Sequence, residues 1–586
     1  MRRFVLGLFA AIGILTVVGV VGAGIAVWRL AGSRPSLPGV IVLRADLSRG
    51  LAAGRGPDAL SRLVFGGQLT LRDLLDALDR AGADPRVKGI YIRLGDDALG
   101  LASVQEVRDA IRDFRAKGKF AIAFADSFGE FGPGTRPYYL ATAFDEIWLQ
   151  PLGSVGLIGL HSQTPFLRGA LDRLGVVPSF AHREEYKTAT NIFTKTAMTP
   201  PQREELDDLL NSAEGQIVSG IAAGRRLPQP RVAALIDRGP LLADEAKAAG
   251  LVDTIGYRDQ AVARARQRAG SGAKLVALAR YLREAGRPHD SGPKIALIYG
   301  TGLITAGDDD LSPLAGSAQL SARTLARAFE EAARDPAVRA IVFRIDSPGG
   351  SAVASETIWR EVVRARARGK PVIVSMGNVA GSGGYYIAAP ADKIVAEPAT
   401  LTGSIGVLAG KFVIAGLLQK LGITDDGAAR GANAAMFSAF ADFSPAARER
   451  LETFLDATYR GFKERVAAGR HLTAAQVEAV AKGRVWSGEE AKAKGLVDAL
   501  GGYDTAFRLA EEAAKIGAGK PFTLVVFPHR KSPMELIYNR LRDRDSDAVG
   551  AAPQGVAAGV AGLLTDIAPL LRDHGVLQMP AIGAFR

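Results

Sequence analysis

The feature of this chain that most constrains its fold is an internal repeat, in which the same landmarks occur twice and in the same order. The pairs are DPRV at 84–87 with DPAV at 335–338, the tyrosine pairs at 138–139 and 385–386, GSVG at 153–156 with GSIG at 403–406, and AKAAGLVD at 246–253 with AKAKGLVD at 491–498. Each pair is separated by about 250 residues. A nearly constant separation indicates a tandem duplication, so we expect two domains of one fold.

Within each copy, short apolar stretches rich in β-branched residues alternate with amphipathic stretches of helical period. In the first copy the predicted strands are 40–43, 89–94, 120–125 and 146–149, and the predicted helices are 71–81, 104–117 and 138–143. This alternation is typical of parallel strands joined by crossover helices. We therefore predict α/β domains at 39–269 and 294–527, a Gly-, Ala- and Arg-rich linker at 270–293, and a C-terminal tail at 528–586.

The N-terminal stretch 1–38 predicts a single membrane anchor. Residues 4–28 contain no charged side chain, and a helix of ~25 residues spans ~37 Å, which is enough to cross a bilayer. A cleaved signal sequence normally has a shorter apolar region and a small-residue cleavage site, so an uncleaved anchor is favoured. Arginines flank both sides, but the default for one anchor before a large body is an inside N-terminus with the body translocated across the membrane.

Composition excludes several kinds of site. With 73 Lys and Arg against 61 Asp and Glu, the net charge is +12, which suits an anionic membrane surface. No compact basic patch is interleaved with aromatic residues, so nucleic-acid binding is not indicated. The chain has no cysteine, which excludes disulfides, thiolate metal sites and a cysteine nucleophile. Neither a metal nor a nucleotide is indicated, and we expect no cofactor.

One serine stands in a conspicuous setting in the second copy. Ser382 lies between Gly381 and Gly383-Gly384, just before a short apolar helix. Glycines allow positive φ and leave the backbone open, so a substrate could approach the hydroxyl closely. By itself such a turn is more typical of an ordinary Gly-rich connection. A serine nucleophile also needs a base, and none of the six histidines forms a triad-like pattern with it. A desolvated lysine can replace histidine in this role.

The duplication allows the two copies to be compared at this position. In the register of the tyrosine pairs, Ser382 corresponds to Thr135, and its two following glycines correspond to Arg136-Pro137. The turn Asp346 to Gly350, which follows a predicted strand, also has no counterpart in the first copy. The serine and its Gly-Gly turns therefore occur once only, in the second copy.

Three motifs together resemble the signal peptide peptidase A family in its long, duplicated bacterial form, also called protease IV. They are SPGG at 347–350, GNVAGSGGYY at 377–386 and LTGSIGV at 401–407, and the resemblance covers residues 40–525 together with the anchor. The resemblance implies a Clp protease/crotonase-like ββα fold in each copy, preceded by one transmembrane helix. It also implies that Ser382 is the nucleophile of a Ser/Lys dyad.

In that family the base is a lysine of the first copy, in a Tyr-Lys-Ser/Thr-Ala element before a Met-Thr/Ser-Pro helix start. Here the lysine is Lys187, in EYKTA at 185–189 before MTP at 198–200. The repeat supports the assignment of Lys187 as this lysine, because in the register of the repeat Lys187 corresponds to Ala432 in the second copy. One copy has kept the lysine and the other the serine, as expected for a single site that both domains share.

The remaining site residues are expected from chemistry and from the resemblance. The backbone N–H groups of Gly350 and Gly383 are candidate oxyanion donors, because no side chain covers them. Ser404 matches a family hydroxyl that orients the lysine, although its counterpart Ser154 leaves a role in the turn itself open. Asn378 and Tyr385 are weaker candidates for shaping the site.

The resemblance implies a membrane-anchored serine endopeptidase that degrades remnant signal peptides and similar short hydrophobic peptides. It also implies a ring-like homo-oligomer, expected to be a tetramer. Two alternatives stay open at this stage. One is an acyl-CoA enzyme on the same fold, which requires a carboxylate base and a CoA pocket, and the other is a non-catalytic membrane scaffold.

Overall fold

A computed structural model of the chain describes residues 37–48, 50–51, 69–95, 99–307, 319–517, 519–528 and 577–578. The predicted anchor at 4–28 lies outside these residues, as does most of the tail at 528–586. Among the helices that are described, none combines the length and apolar character needed to cross a bilayer.

The first half alternates strands and helices as the repeat pattern predicts. Its elements are β1 Ile41–Asp46, α1 Leu71–Ala83, β2 Val87–Leu94, α2 Leu101–Ala116, β3 Phe120–Ala125, α3 Thr135–Ala141, β4 Glu146–Leu149, β5 Ser154–Val155, α4 Arg168–Leu174, β6 Val177–His182, α5 Asn191–Thr194, α6 Pro200–Arg225, α7 Gln229–Arg238, β7 Leu241–Leu242, α8 Ala243–Ala248, β8 Thr254–Ile255, α9 Arg258–Ala269, β9 Lys274–Ala277 and α10 Leu278–Ala285.

The second half follows the same alternation. Its elements are β10 Lys294–Thr301, β11 Leu303–Thr305, β12 Gln319–Ser321, α11 Ala322–Arg334, β13 Val338–Ser347, β14 Gly349–Gly350, α12 Ala352–Ala367, β15 Val372–Gly381, α13 Gly383–Ala388, β16 Lys393–Ala396, β17 Leu401–Gly403, β18 Leu408–Val413, α14 Ala415–Lys420, α15 Pro445–Arg470, α16 Ala474–Val480, β19 Val485–Ser487, α17 Gly488–Ala493, β20 Ala499–Leu500, α18 Tyr503–Ala513, β21 Thr523–Phe527 and β22 Leu577–Gln578.

Both halves are built on a sheet with the same strand order. The first sheet runs β9-β1-β2-β3-β4-β8, and all its pairs are parallel. The second runs β21-β10-β13-β15, after which β16 and β20 continue it. In addition, the end of β15 pairs with β17, which β19 joins in antiparallel fashion. The shared order is the structural counterpart of the sequence repeat.

The two longest helices show how local sequence sets equivalent elements. Both α6 and α15 have 26 residues and begin at a proline that follows a hydroxyl residue, Thr199-Pro200 and Ser444-Pro445 respectively. Proline is favoured at the first helical position because its missing N–H has no helical partner there. The hydroxyl of Ser444 caps its helix by accepting the N–H of Ala447 at 3.1 Å. Both helices end on a residue in the left-handed region, Arg226 and His471.

Half of the residues predicted to form a linker, 270–293, lie in a strand or a helix. Strand β9 pairs in parallel with β1 at the edge of the first sheet, and α10 buries Leu278, Tyr281 and Leu282. Its equivalent in the second half, β21, pairs with β10 in the same way. The segment is rich in glycine and arginine, but its apolar residues complete the first domain.

The two halves pack closely against each other. The side chains of β10 alternate between two buried clusters: Ile295 and Leu297 join a cluster to which both halves contribute, whereas Ala296 and Ile298 join one that is formed almost entirely by the second half. A further link is the antiparallel pairing of β6 with β18, which runs from Val177 opposite Val413 to His182 opposite Leu408. These contacts place loops of the first half over the ends of strands in the second.

Candidate active site

Ser382 occupies a strained turn between β15 and α13. Its backbone has φ 54° and ψ −116°, outside the region that residues with a side chain normally adopt. The conformation is held by two backbone hydrogen bonds, from the Ser382 N–H to the Gly403 carbonyl and from the Tyr386 N–H to the Ser382 carbonyl, both of 2.8 Å. The turn therefore fixes the hydroxyl at the carboxyl end of a buried strand.

Lys187 of the first half reaches this hydroxyl. Its Nζ lies 2.9 Å from the Oγ of Ser382, 3.0 Å from the Oγ of Ser404 and 3.1 Å from the Ser404 carbonyl oxygen. All three residues have no exposed surface. The structure thus brings together, from distant parts of the sequence, the three side chains that the sequence singled out.

Glycines of the second half enclose the lysine. A Cβ on Gly483 would lie 2.6 Å from the backbone nitrogen of Lys187, and a Cβ on Gly406 would lie 3.1 Å from the Cδ of the same lysine. Close packing against the backbone and chain of the lysine leaves no part of Lys187 exposed. Burial therefore lowers the pKa of Lys187 to about 7, and the nearby carboxyl of Glu205 opposes this shift.

A neutral amine at this position can accept a proton from the serine hydroxyl. Ordinary lysine is almost fully protonated at neutral pH and has no free electron pair for this purpose. With its pKa near neutrality, a large fraction of Lys187 is unprotonated under the same conditions. Hydrogen-bond distance and a suitable pKa are the two requirements for a general base.

The candidate oxyanion residues Gly350 and Gly383 lie in direct contact. A Cβ on Gly383 would be 3.2 Å from the Gly350 nitrogen, and Gly349 and Gly350 have φ values of 105° and 154° that favour glycine. A Cβ on Gly350 would also come within 2.2 Å of the Ile304 carbonyl oxygen. The Gly-Gly turn of β14 thus lies beside Gly383, the residue after the serine; Gly350 pairs with β11, and both glycines pair with β22.

Two weaker candidates take structural positions. Asn378 bridges the halves, since its Oδ1 accepts the Ser103 N–H at 3.1 Å and its Nδ2 donates to the Ser103 hydroxyl at 2.9 Å. Tyr385 is buried and donates its hydroxyl to the Leu496 carbonyl at 2.9 Å. Its repeat counterpart Tyr138 makes the same bond to Leu251, so this contact belongs to the fold rather than to the site.

The equivalent position in the first half carries no comparable chemistry. The hydroxyl of Thr135 donates to the Gly159 carbonyl at 3.0 Å. Ser154, the counterpart of Ser404, contacts the hydroxyl of Ser127 at 3.2 Å. Ala432, opposite Lys187, is exposed. The two copies have diverged, and these counterparts form no contact like that between Ser382 and Lys187.

One buried acid near the dyad was missed by the sequence analysis. Glu205 on α6 is 4% exposed, and its Oε1 accepts the Val485 N–H at 3.0 Å. Burial raises the pKa of Glu205 to about 8, while the Val485 N–H, Arg484 and Lys187 act in the opposite direction. A signal was present in the sequence: Glu205 begins an apolar stripe of helical period that continues through Leu209 and Ala213.

Comparison with known proteins assigns the family. The model of peptidase family S49 matches this chain twice, at residues 115–271 and 364–517. The chain is 34% identical over 500 residues to Protease 4 of Salmonella typhi, covering 82% of this chain and 78% of that protein. It is 31% identical over 511 residues to the chloroplastic serine protease SPPA of Arabidopsis thaliana, covering 86% and 73% respectively.

Among solved structures, a point mutant of ClpP1 from Listeria monocytogenes matches 36% of this chain and 93% of its own length, at 15% identity and a TM-score of 0.22. The duplicated α/β fold itself rests on the strand pairing of the two sheets. Two S49 domains in one chain, together with relatives aligned over most of its length, show that this chain belongs to peptidase family S49 and is a serine peptidase of the long, duplicated SppA form.

Proposed function

We propose that Ser382 is the nucleophile of this peptidase and that Lys187 is its general base. The observation that carries the proposal is the 2.9 Å contact between the Lys187 Nζ and the Ser382 Oγ in a site from which water is excluded. No other part of the site needs to move for the serine proton to reach the amine. The lysine comes from the first half and the serine from the second, so the site requires both copies.

The reaction follows from this geometry. Neutral Lys187 accepts the hydroxyl proton as the Ser382 Oγ forms a bond to the peptide carbonyl carbon. The resulting ammonium then gives that proton to the leaving amine nitrogen, the C–N bond breaks, and an acyl ester remains on Ser382. Lys187 next takes a proton from a water molecule whose oxygen attacks the ester. Return of the proton to the Ser382 Oγ releases the carboxylate product.

The same proposal assigns supporting roles to three further residues. The N–H groups of Gly350 and Gly383 stabilise the oxyanion that develops on the substrate carbonyl, since donors held in place before reaction cost no reorganisation. Ser404 holds the amine through its hydroxyl and carbonyl, at 3.0 and 3.1 Å from the Nζ. Two fixed acceptors leave the amine's lone pair directed toward the Ser382 hydroxyl.

The test replaces each member of the dyad and a matched control. Ser382→Ala and Lys187→Ala are each expected to lower the rate of peptide hydrolysis by at least about 10³-fold, as removal of one member of a unit does. Controls are Lys195→Ala, an exposed lysine eight residues away, and Ser154→Ala, the repeat counterpart of Ser404. Circular dichroism monitors folding. Substantial hydrolysis by either folded dyad variant would refute the assignment.

We further propose that the substrates are remnant signal peptides and other short hydrophobic peptides, and that the enzyme acts at the inner membrane as a homotetramer with its body in the periplasm. A relative from Enterococcus faecium, 32% identical over 226 residues, carries the name putative signal peptide peptidase SppA. The uncharged stretch 4–28 supports anchoring, because it can span a bilayer as a helix.

The substrate and location are tested on isolated membranes. The full chain should sediment with membranes after a high-salt wash, and a chain that starts at residue 37 should not. Membranes carrying the full chain should degrade a released signal peptide faster than a polar peptide of equal length. Release of the full chain by salt, or equal rates on both peptides, would contradict this part of the proposal.

A further inference from the structure

Glu205 combines deep burial with an incomplete set of hydrogen bonds. Its Oε1 accepts the Val485 N–H, whereas its Oε2 is buried and has no hydrogen-bond partner within the described part of the chain. An ionisable group in such a position is costly to the fold, because burial removes its hydration. A residue that served only as a backbone acceptor could be a glutamine without this cost.

A short segment of the second half connects Glu205 to the dyad. The segment is 483–485. Gly483 packs on the backbone of Lys187, and the Arg484 carbonyl accepts the Ser404 N–H at 2.7 Å. Val485 provides the N–H that holds Glu205. Glu205 therefore holds the same short segment that packs against Lys187 and fixes Ser404.

The charged groups around this carboxyl are few. Lys187 and Arg484 are the cations that act on Glu205, and among the described residues Glu205 is the only charge that shifts the pKa of Lys187 appreciably. The Arg484 guanidinium is engaged elsewhere: it donates to Glu204 at 2.9 Å and also contacts Asp208. Glu205 is thus the main charge that acts on the buried amine, whereas Arg484 acts on the Glu205 carboxyl more strongly than Lys187 does.

Resting on the proposed dyad, we infer that Glu205 is a positioning residue that sets the proton affinity of the Lys187 amine and balances its charge when it becomes an ammonium. The amine gains a positive charge when it takes the Ser382 proton. When Glu205 is ionised, its carboxylate stabilises that charge in a site without water. Glu205 does not touch substrate and accepts no proton from the serine, so the proton balance of the reaction is unchanged.

The pH dependence of the pair distinguishes this role from packing. After one proton leaves the pair, the remaining proton lies either on the carboxyl, which leaves a neutral amine, or on the amine, which removes the base. Replacing Glu205 by a neutral residue removes the second form, in which an ionised carboxylate stabilises the ammonium. Since Glu205 raises the pKa of Lys187, its neutral isostere should lower that pKa and leave a single ionisation.

The experiment measures the rate at which a fluorophosphonate probe labels Ser382 between pH 5 and 10, together with kcat/KM on a fluorogenic peptide. Glu205→Gln keeps an oxygen for the Val485 N–H. In this variant the acid limb, which is the part of the pH profile where the rate rises with pH, is expected to move down by about half to one pH unit. Its rate on the plateau should fall roughly tenfold, because the ammonium in the transition state is no longer balanced. The control is Glu214→Gln, an exposed residue on the same helix.

An acid limb that stays at the wild-type pH in Glu205→Gln would overturn the inference, whatever happens to the plateau. If this variant does not fold, Glu205→Asp keeps the charge but draws it away from the amine, and the limb should move down by a smaller amount. An unmoved limb there would be equally decisive against the role. Failure of the dyad is recognised separately, because Lys187→Ala would then retain labelling.

Discussion

At the scale of single residues, the site depends on one lysine that has lost its hydration. Lys187 is fully buried, and its Nζ has only hydroxyl and carbonyl oxygens of the described residues within hydrogen-bond distance. Desolvation disfavours the ammonium more strongly than the Glu205 carboxyl favours it, so the pKa falls to about 7. The same burial that destabilises a charged lysine therefore creates a base for neutral pH.

This pKa predicts the pH dependence of activity. Only the unprotonated amine can accept the Ser382 proton, and its fraction rises with pH until the pKa is passed. We expect kcat/KM to climb about tenfold per pH unit below pH ~6 and to level off above pH ~8. A profile measured with a neutral peptide checks this. A rate that keeps rising to about pH 10, the range of ordinary lysine, would contradict the buried amine.

At the scale of elements, backbone without side chains allows the two halves to approach. Gly483 has φ 80°, and a Cβ there would lie 2.6 and 2.8 Å from the nitrogen and Cα of Lys187. The neighbouring Arg484 carbonyl fixes Ser404. A strand end and a loop from one half thus determine where a loop of the other half can lie.

Gly483→Ala is expected to displace Lys187 and to lower kcat about 10²-fold, since a shift of ~1 Å at a reacting group has an effect of this size. Its control is Gly250→Ala, which places a Cβ at a similar φ of 78° where no atom of the described residues lies within 4 Å. Gly250→Ala should therefore cost only stability, seen as a lower thermal midpoint. Equal activity in both variants would show that contact with Gly483 does not position the lysine.

At the scale of the whole molecule, the two copies of the duplicated fold contribute different residues to the candidate site. Both sheets share one strand order, yet the first half lacks the serine and the second half lacks the lysine. A buried apolar cluster to which both halves contribute, with Ile295 and Leu297 among its members, holds the two halves together. Under the proposed dyad, each chain therefore has one active site to which both halves contribute.

Because Lys187 and Ser382 of the same chain meet, the two variants should not rescue each other. We expect that Ser382→Ala and Lys187→Ala chains, co-expressed with different tags and purified together, hydrolyse peptide no faster than either alone. Each mixed assembly would still lack one dyad member in every site. Recovery of a large part of wild-type activity would mean that the site forms between chains.

Much of this architecture was readable from local sequence because it depends on local forces. The strands 120–125 and 146–149 lie where their apolar pattern predicts, and helix boundaries differ by only a few residues. Apolar periodicity and helix capping depend on a few neighbouring residues, so strands and helices can be predicted from them before the fold is known. The segment 270–293 was misread for the same reason: its composition resembled a linker, but β9 is an edge strand only because β1 lies beside it.

The sequence by itself determined that the chain is a duplicated α/β protein and that one copy keeps a serine and the other a lysine. Only the tertiary structure decided that the amine lies 2.9 Å from the hydroxyl, that burial brings its pKa to about 7, and that the charge of the buried Glu205 acts on it. Distance and desolvation are properties of residues far apart in the chain. They arise when the two halves pack, and no local pattern contains them.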